Sequence, residues 1–226
     1  MSRFPMPLHL SLGWVGVLAT LALIGFYVPT ADETIGESYL IFFFHFPSAV
    51  NCLNLFVIAG VVSGLYLIKA SPRLDLWAAS CIEVGVLACS VTLVTGSIWA
   101  RAAWGVFWDA RDPRLMTVAI MWLTYAGYLA LRGTIDEPVK RALFSAVFGV
   151  IAAINVPIVY FAIKFFGQSH HPMNVNLAQT AMRVTELVGF CAFLVLYIAL
   201  WRLRFRVHWS RYELNRMEAA FHRAGI

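Results

Sequence analysis

The chain has 226 residues and a formal net charge of +5, and 61% of its residues are hydrophobic whereas only 13% are charged. A water-soluble domain must cover itself with polar side chains, so this composition excludes a soluble globular protein and predicts an integral membrane protein. Lipid cannot satisfy exposed backbone groups, and a helix of about 20 apolar residues crosses the ~30 Å hydrocarbon layer.

Six segments are long and apolar enough to cross a membrane, which predicts an all-α fold. Shorter segments with proline, glycine or charge separate these spans. The six spans form one predicted membrane domain over residues 1–226, with a tryptophan-rich outer loop at 99–115 and a basic tail at 204–226. In chain order the predicted spans are 10–28, 39–68, 77–99, 115–132, 142–166 and 184–203.

The placement of lysine and arginine predicts the orientation. Most of the 17 cationic residues fall on the side that carries both termini, and cytoplasmic loops are the ones enriched in these residues. We therefore expect both termini in the cytoplasm and outer loops at 29–38, 100–114 and 167–183. The basic excess indicates topology and contact with anionic lipid, and it does not indicate a nucleic-acid partner.

Cysteine and glycine patterns exclude two classes of activity. The four cysteines all lie in predicted spans without a C-x-x-C or C-x-x-C-H spacing, so neither a vicinal thiol oxidoreductase nor a covalent c-type cytochrome is predicted. No G-x-x-x-x-G-K-[ST] motif occurs, so ATP hydrolysis would have to come from other subunits. We expect a protein that is not itself an enzyme.

Three histidines lie on the predicted outer side. His45 occurs in the apolar stretch "FFFHFPSAVN", and His170 and His171 occur in "GQSHHPMN", where Gly167 and Pro172 predict a helix end and a turn. His45 taken alone is explained by an interfacial histidine with one hydrogen bond. Together with the pair it allows two imidazoles from different helices to bind one transition metal.

The loop "AAWGVFWDARDPRLM" mixes aromatic, acidic and basic side chains. Haem needs axial ligands, flat apolar surfaces and cations for its propionates, whereas zinc needs further Cys, His, Asp or Glu ligands. A belt of tryptophans at the lipid headgroups is the alternative explanation. The candidate flat faces are Trp99, Trp104, Phe107 and Trp108, and the candidate cations are Arg101, Arg111 and Arg114.

The stretch "VTGSIWARAAWGVFWDARDPRLMT" resembles the tryptophan-rich WWD signature of haem-handling proteins in cytochrome c biogenesis. The six spans, "HFPSAV" in the second and "INVPIVYFAIKFFGQSHHP" in the fifth are similar to the CcmC-type haem exporter protein C family. The resemblance covers residues 10–203, and the order of these motifs is its specific part.

This resemblance implies two axial haem ligands. The first is His45, and an ungapped match places the second at His170, with His171 as the alternative because the histidine is doubled. In the loop, Trp104, Gly105, Phe107 and Trp108 follow the family pattern, but the next tryptophan is absent, which predicts an altered affinity or orientation for the haem. Asp112, followed by Arg114 and Leu115, is the preferred match for the acidic position of the signature, and Asp109 is the alternative.

The resemblance also implies a function: a membrane subunit that holds non-covalent haem b on the outer face of the bacterial inner membrane and hands it to a haem chaperone. The implied partners are ABC-type ATPase and membrane subunits and a small single-span protein. A cytochrome b-like electron-transfer subunit and a haem-translocating channel are the alternatives. The electron-transfer alternative is disfavoured because no span contains a histidine deeper than His45.

Two acidic residues inside the spans have open roles at this point. Glu83 in the third span is explained either by a water-accessible position near the inner interface or by a polar contact near a haem or proton path. Arg183 and Glu186 have the spacing of a local ion pair on a helix, and Arg183 is also in a position to reach a propionate.

Overall fold

The computed structural model describes residues 8–28, 37–167, 171, 177 and 179–224. Helices account for nearly all of them. In chain order they are α1 (Leu8–Phe26), a short 3-10 helix (Glu37–Ile41), α2 (Phe42–Lys69), α3 (Pro72–Trp104), α4 (Pro113–Thr134), α5 (Pro138–Ala153), α6 (Asn155–Tyr160), α7 (Ala162–Phe166) and α8 (Thr180–Ala224).

Six of these helical stretches are long and apolar enough to span a membrane, which confirms the predicted all-α membrane fold. The third stretch is longer than its predicted span, because α3 begins at Pro72 and continues to Trp104. The sixth also continues, since α8 reaches Ala224 as one helix. Hydropathy alone did not predict these extensions, because the added residues include charged ones.

The fifth span is interrupted, where the sequence predicted one continuous segment at 142–166. Helix α5 ends at Ala153, and two short helices follow it. Ile154 separates α5 from α6, and Phe161 separates α6 from α7. Proline has no backbone N–H, so Pro157 cannot donate to the carbonyl of Ala153, and this gap in the ladder explains the break. Both short helices pack against α4.

The core forms around α2 and α3, which pack along most of their length. Phe56 of α2 stacks on Tyr125 of α4 with ring centroids 3.7 Å apart, and Ile82 and Met121 are fully buried beside them. On the flank, α1 approaches α8 so closely that a Cβ on Gly13 would lie 2.8 Å from the Leu196 backbone. Close backbone approach at small residues is a common way for helices to associate in lipid.

One end of the bundle is joined by contacts between charged side chains of different helices, and we call it the tail end because α8 leaves the bundle there. Arg132 of α4 donates to both carboxylate oxygens of Asp75 in α3, at 2.6 and 2.7 Å. Glu83 accepts from Arg204 and lies 3.0 Å from Nε2 of His208, both on α8. Glu83 therefore ties the third span to the start of the tail.

The contacts of Glu83 link α3 to α8. Along α3, Glu83 and Trp99 are separated by sixteen residues, which corresponds to ~24 Å of helix rise. The carboxylate thus lies far from the aromatic cluster described below. Its hydrogen-bond partners are Arg204 and His208 of α8.

Candidate functional site

The predicted site residues meet at the other end of the bundle, where α2 begins, α3 ends and α4 begins. We call this the site end. His45 lies in the first turns of α2, Trp99 and Trp104 lie in the last turns of α3, and His171 lies in the segment that follows α7. The structure therefore brings together side chains that are more than one hundred residues apart in the chain.

His45 is held by α3. Its Nδ1 lies 3.1 Å from Oγ1 of Thr95, and the Thr95 hydroxyl donates to the Val91 carbonyl at 2.7 Å. Because that hydroxyl hydrogen is used, the Thr95 oxygen accepts a hydrogen from Nδ1 of His45. The neutral imidazole then carries its lone pair on Nε2, which is the form in which histidine binds a metal.

Gly96 completes the support of this imidazole. A Cβ at Gly96 would lie 2.9 Å from Cε1 and 3.4 Å from Nδ1 of His45. Such distances are shorter than ordinary van der Waals contact, so only glycine lets the ring pack against the α3 backbone at this position. Thr95 and Gly96 were not singled out in the sequence, although both lie in the stretch that carries the family resemblance.

His171 lies beside His45. The two ring centroids are 6.0 Å apart with an interplanar angle of 39°, and the Trp99 ring lies 6.2 Å from the His171 ring. Nη1 of Arg114 lies 3.2 Å from Nδ1 of His171. A guanidinium can only donate, so Nδ1 of His171 is the acceptor and its lone pair is engaged by Arg114.

This arrangement bears on the choice of the second ligand. With Nδ1 accepting, neutral His171 carries its hydrogen on Nε2, and that nitrogen has no lone pair for a metal until the Arg114 contact changes. His170, the preferred second ligand, lies outside the described residues. In the described part of the chain, no three His, Cys, Asp or Glu side chains converge on one point.

Aromatic rings surround the histidines on the α3 side. Trp99 and Trp104 meet edge to face with centroids 5.2 Å apart, a favourable geometry for aromatic pairs. Beyond α3, Val106, Phe107 and Trp108 expose 44%, 59% and 37% of their surfaces. Three consecutive apolar side chains are thus exposed just after the end of α3.

The predicted loop at 99–115 is shorter in the structure, because its first six residues are the end of α3. Gly105 ends that helix with a φ of 76°, a left-handed conformation that favours glycine. Arg101 donates to the Gly105 carbonyl, and its guanidinium lies 5.7 Å from the Phe107 ring centroid. The chain therefore leaves the helix at Gly105, and Phe107 beyond it is exposed.

Charged residues of the loop have different partners. Arg111 donates through Nε and Nη2 to the two carboxylate oxygens of Asp109, at 3.0 and 3.1 Å. This contact raises the pKa of Arg111, whose side chain is 91% exposed. Arg111 and Arg101 therefore present cationic groups at the surface of the site end.

Asp112 has a structural task in addition to any contact with a ligand. Its Oδ1 accepts from the backbone N–H groups of Arg114 and Leu115 at 3.0 and 3.1 Å, so it caps the first turn of α4. The side chain is buried. By fixing the start of α4, Asp112 places Arg114 next to His171.

The predicted ion pair between Arg183 and Glu186 is wrong. Arg183 donates through Nε to the Leu177 carbonyl at 2.6 Å. The carboxylate oxygens of Glu186 are buried, and neither has a hydrogen-bond partner among the residues that the structure describes. Spacing alone allowed the pair, but Arg183 turns back along the chain to the segment that precedes α8.

Comparisons with known proteins come from a family model and from individual relatives. The model described as "Heme exporter protein C" matches residues 2–224. A heme exporter protein C of Bradyrhizobium diazoefficiens is 29% identical over 84% of this chain and 75% of its own length. A ccmC-like mitochondrial protein of cytochrome c biosynthesis from Marchantia polymorpha is 28% identical over 78% of this chain and 75% of its own. The heme exporter protein C of Escherichia coli K12 is 26% identical, with coverages of 87% and 78%.

Proposed function

Because the chain belongs to the heme exporter protein C family, we propose that it is the haem-binding membrane subunit of an ABC-type export complex that serves cytochrome c maturation. In this proposal haem is the cargo, bound at the site end and handed on to a haem chaperone. The observation that carries the proposal is the hydrogen bond from Nδ1 of His45 to Thr95, which leaves the lone pair of the imidazole on Nε2.

His45 is the first iron ligand in this proposal, and two features of its surroundings support that role. A metal-binding histidine usually donates its other N–H to an acceptor that fixes the ring, and Thr95 is that acceptor here. The ring also packs against the Gly96 backbone. The imidazole is thereby held in one tautomer and one position before any cargo arrives.

The second ligand is His170, with His171 as a positioning residue. The Arg114 contact occupies the Nδ1 lone pair of His171, which favours its neighbour as the donor to iron. His171 also lies close to both His45 and Trp99. Its ring would then pack beside the macrocycle while its neighbour binds the metal.

The aromatic and basic residues contact the rest of the cargo. Trp99, Trp104, Phe107 and Trp108 supply flat apolar surfaces for the porphyrin, and Arg101, Arg111 and Arg114 supply donors for its propionates. Gly105 ends α3 just before the exposed Phe107. Non-covalent binding of haem b on such an open surface suits a protein that must release it.

We place the site end at the periplasmic face of the bacterial inner membrane and both termini in the cytoplasm. The tail end carries most of the lysines and arginines, which supports this orientation by the positive-inside rule. The chain supplies no ATP-binding motif, so the ATPase, a second membrane subunit, a small single-span protein and the haem chaperone are separate partners.

The visible spectrum of the purified protein tests this function. We expect haem to co-purify with the wild type as a low-spin, six-coordinate species. His45→Ala and His170→Ala should each weaken haem binding by at least about 100-fold, since changes to groups that merely support a metal ligand already cost 10–100-fold. His171→Ala should leave a six-coordinate spectrum and shift only its intensity.

Thr95→Val serves as the test of the tautomer argument, and Thr124→Val is its control because Thr124 has the same carbonyl contact on an exposed face of α4. We expect about tenfold weaker haem binding for Thr95→Val and no change for Thr124→Val.

Absence of haem from the wild type, or a spectrum that none of the histidine variants alters, would contradict the function. A six-coordinate spectrum lost only in His171→Ala would reassign the second ligand.

A further inference from the structure

The last helix continues beyond the membrane bundle. We call its residues 204–224 the tail helix. Contacts with α3 end near Trp209, whose ring centroid lies 5.3 Å from the Arg73 guanidinium, and every residue from Glu213 to Ala224 is exposed. At ~1.5 Å per residue, these twelve residues project ~18 Å past the bundle.

An apolar stripe runs along the projecting part. Leu214, Met217 and Phe221 expose 53%, 51% and 57% of their surfaces, and their spacing of three and four residues places them on one side of a helix. The stripe lies about 120–180° around the helix axis from His208, which contacts Glu83 of α3. It therefore faces away from the bundle and packs against nothing in the described part of the chain.

The charges beside the stripe are divided along the helix. In heptad terms, Leu214 and Phe221 take position a and Met217 takes position d. The flanking positions are then Arg206 and Arg211 near the membrane and Glu213 and Glu218 further out, and all four side chains are exposed. One half of the flank is thus basic and the other half acidic.

This division opposes pairing with a second copy of the chain. All copies in one membrane have the same orientation, so two tail helices would meet in parallel. In a parallel pair each g position faces the e position five residues further along the other helix. Arg206 would face Arg211 of the second copy and Glu213 would face Glu218, so both contacts would join like charges.

We propose that the tail helix docks an amphipathic helix from a different polypeptide. The occupant has an apolar stripe of its own, carboxylates beside Arg206 and Arg211, and lysine or arginine beside Glu213 and Glu218. The exposed apolar stripe provides the contact area, and the divided charges select the partner and its register. This inference goes beyond haem handling and does not rest on it.

Binding of designed helices to the whole detergent-solubilised protein tests the proposal. The matched peptide has about three heptads with a leucine core, an acidic first half and a basic second half. The control peptide has the same core and a basic flank along its whole length, so it meets Arg206 and Arg211 with like charge in a parallel or an antiparallel pair. We expect the matched peptide to bind at least about tenfold more tightly than the control peptide. Leu214→Asp with Phe221→Asp should abolish binding of both, whereas Arg223→Ala, on another face, should leave both unchanged.

Charge reversal provides the rescue. Arg206→Glu combined with Arg211→Glu makes the flank acidic along its whole length and should invert the preference, so that the basic control peptide binds more tightly by a similar factor. Equal binding of the two peptides to the wild type, or no binding of either, overturns the proposal. Because haem spectra do not depend on this surface, its failure would leave the proposed function untouched.

Self-association distinguishes a second copy from a different partner. With Ser210→Cys as the cross-linking position, the otherwise unchanged tail should give no tail-to-tail disulfide. Adding Arg206→Glu with Glu213→Lys places opposite charges across both parallel contacts and should produce one. Cross-linking without those changes would assign the surface to a second copy.

Binding to phosphatidylglycerol vesicles distinguishes the membrane from a partner helix. Vesicle binding that depends on Arg206 and Arg211, without discrimination between the two peptides, would assign the surface to the membrane.

Discussion

The two ends of the bundle use polar side chains in different ways. At the tail end, carboxylates are paired with donors from other helices, in the buried Asp75–Arg132 pair and in the half-buried Glu83 with its two partners on α8. At the site end, His45 and His171 make hydrogen bonds to Thr95 and Arg114, and the loop that follows α3 exposes Phe107 and Trp108. The tail end is thus closed by its own residues, whereas the site end keeps surface for a ligand.

This contrast separates stability from binding. A buried pair whose members satisfy each other contributes to holding helices together, while an oriented imidazole at the site end contributes little until a cargo is present. Changes at the tail end should therefore alter unfolding and leave haem binding unchanged, whereas changes at the site end should weaken haem binding.

The largest effect is expected from Arg132→Met, which leaves the buried carboxylate of Asp75 without its partner. Removal of one member of a buried ion pair costs about 3–5 kcal/mol of unfolding free energy. The double variant with Asp75→Asn should recover most of this loss. Thermal unfolding in detergent measures both, and a retained haem spectrum in the folded fraction of each variant confirms the separation. Strong loss of haem from folded Arg132→Met would contradict the separation of stability from binding.

Gly96→Ala, at the site end, should weaken haem binding and leave unfolding nearly unchanged. The added Cβ displaces the His45 ring by a few tenths of an ångström from its contact with α3, and we expect about tenfold weaker haem binding, or about 1.4 kcal/mol. Gly133→Ala is the matched control, because a Cβ there meets nothing within 4 Å. Haem titration of both variants checks this, and equal affinities would contradict the role of Gly96.

Asp112→Ala tests whether a helix cap contributes to the site. Loss of the cap of α4 should lower the unfolding free energy by about 1 kcal/mol. It should also weaken haem binding by about threefold, well under 1 kcal/mol, because Arg114 loses its fixed position beside His171. Glu137→Ala removes the corresponding cap of α5 at the tail end. Haem affinity should be unchanged in that variant, and a loss equal to that of Asp112→Ala would contradict the assignment.

The smallest effect concerns acid pH. Backbone N–H groups of Val139 and Lys140 lower the pKa of Glu137. A carboxyl group whose folded pKa is lowered stabilises the fold above its unfolded pKa of about 4.3, and this contribution disappears as the pH falls through the lower folded value. Glu137→Gln should therefore have a lower thermal midpoint than the wild type at about pH 6, and this difference should shrink as the pH falls below about 4.3. A difference that stays constant as the pH falls would count against the cap.

Much of the architecture could be predicted from the sequence. Six apolar segments separated by polar ones require six helices in lipid, because no other arrangement satisfies the backbone. The resemblance in "HFPSAV" and in the tryptophan-rich stretch also identified the family. The break in the fifth span was missed, although Pro157 was visible, because a proline in a membrane helix is often accommodated without interruption.

The site itself was predicted only as a set of candidate residues. The sequence by itself determined which residue types gather on one side of the membrane, since helix length and direction follow from hydropathy and charge. Only the tertiary structure decided that Thr95 orients His45, that Arg114 engages His171 and that Glu83 contacts α8. Those contacts join different helices, and their geometry depends on how the helices pack and rotate, which no local pattern in the chain specifies.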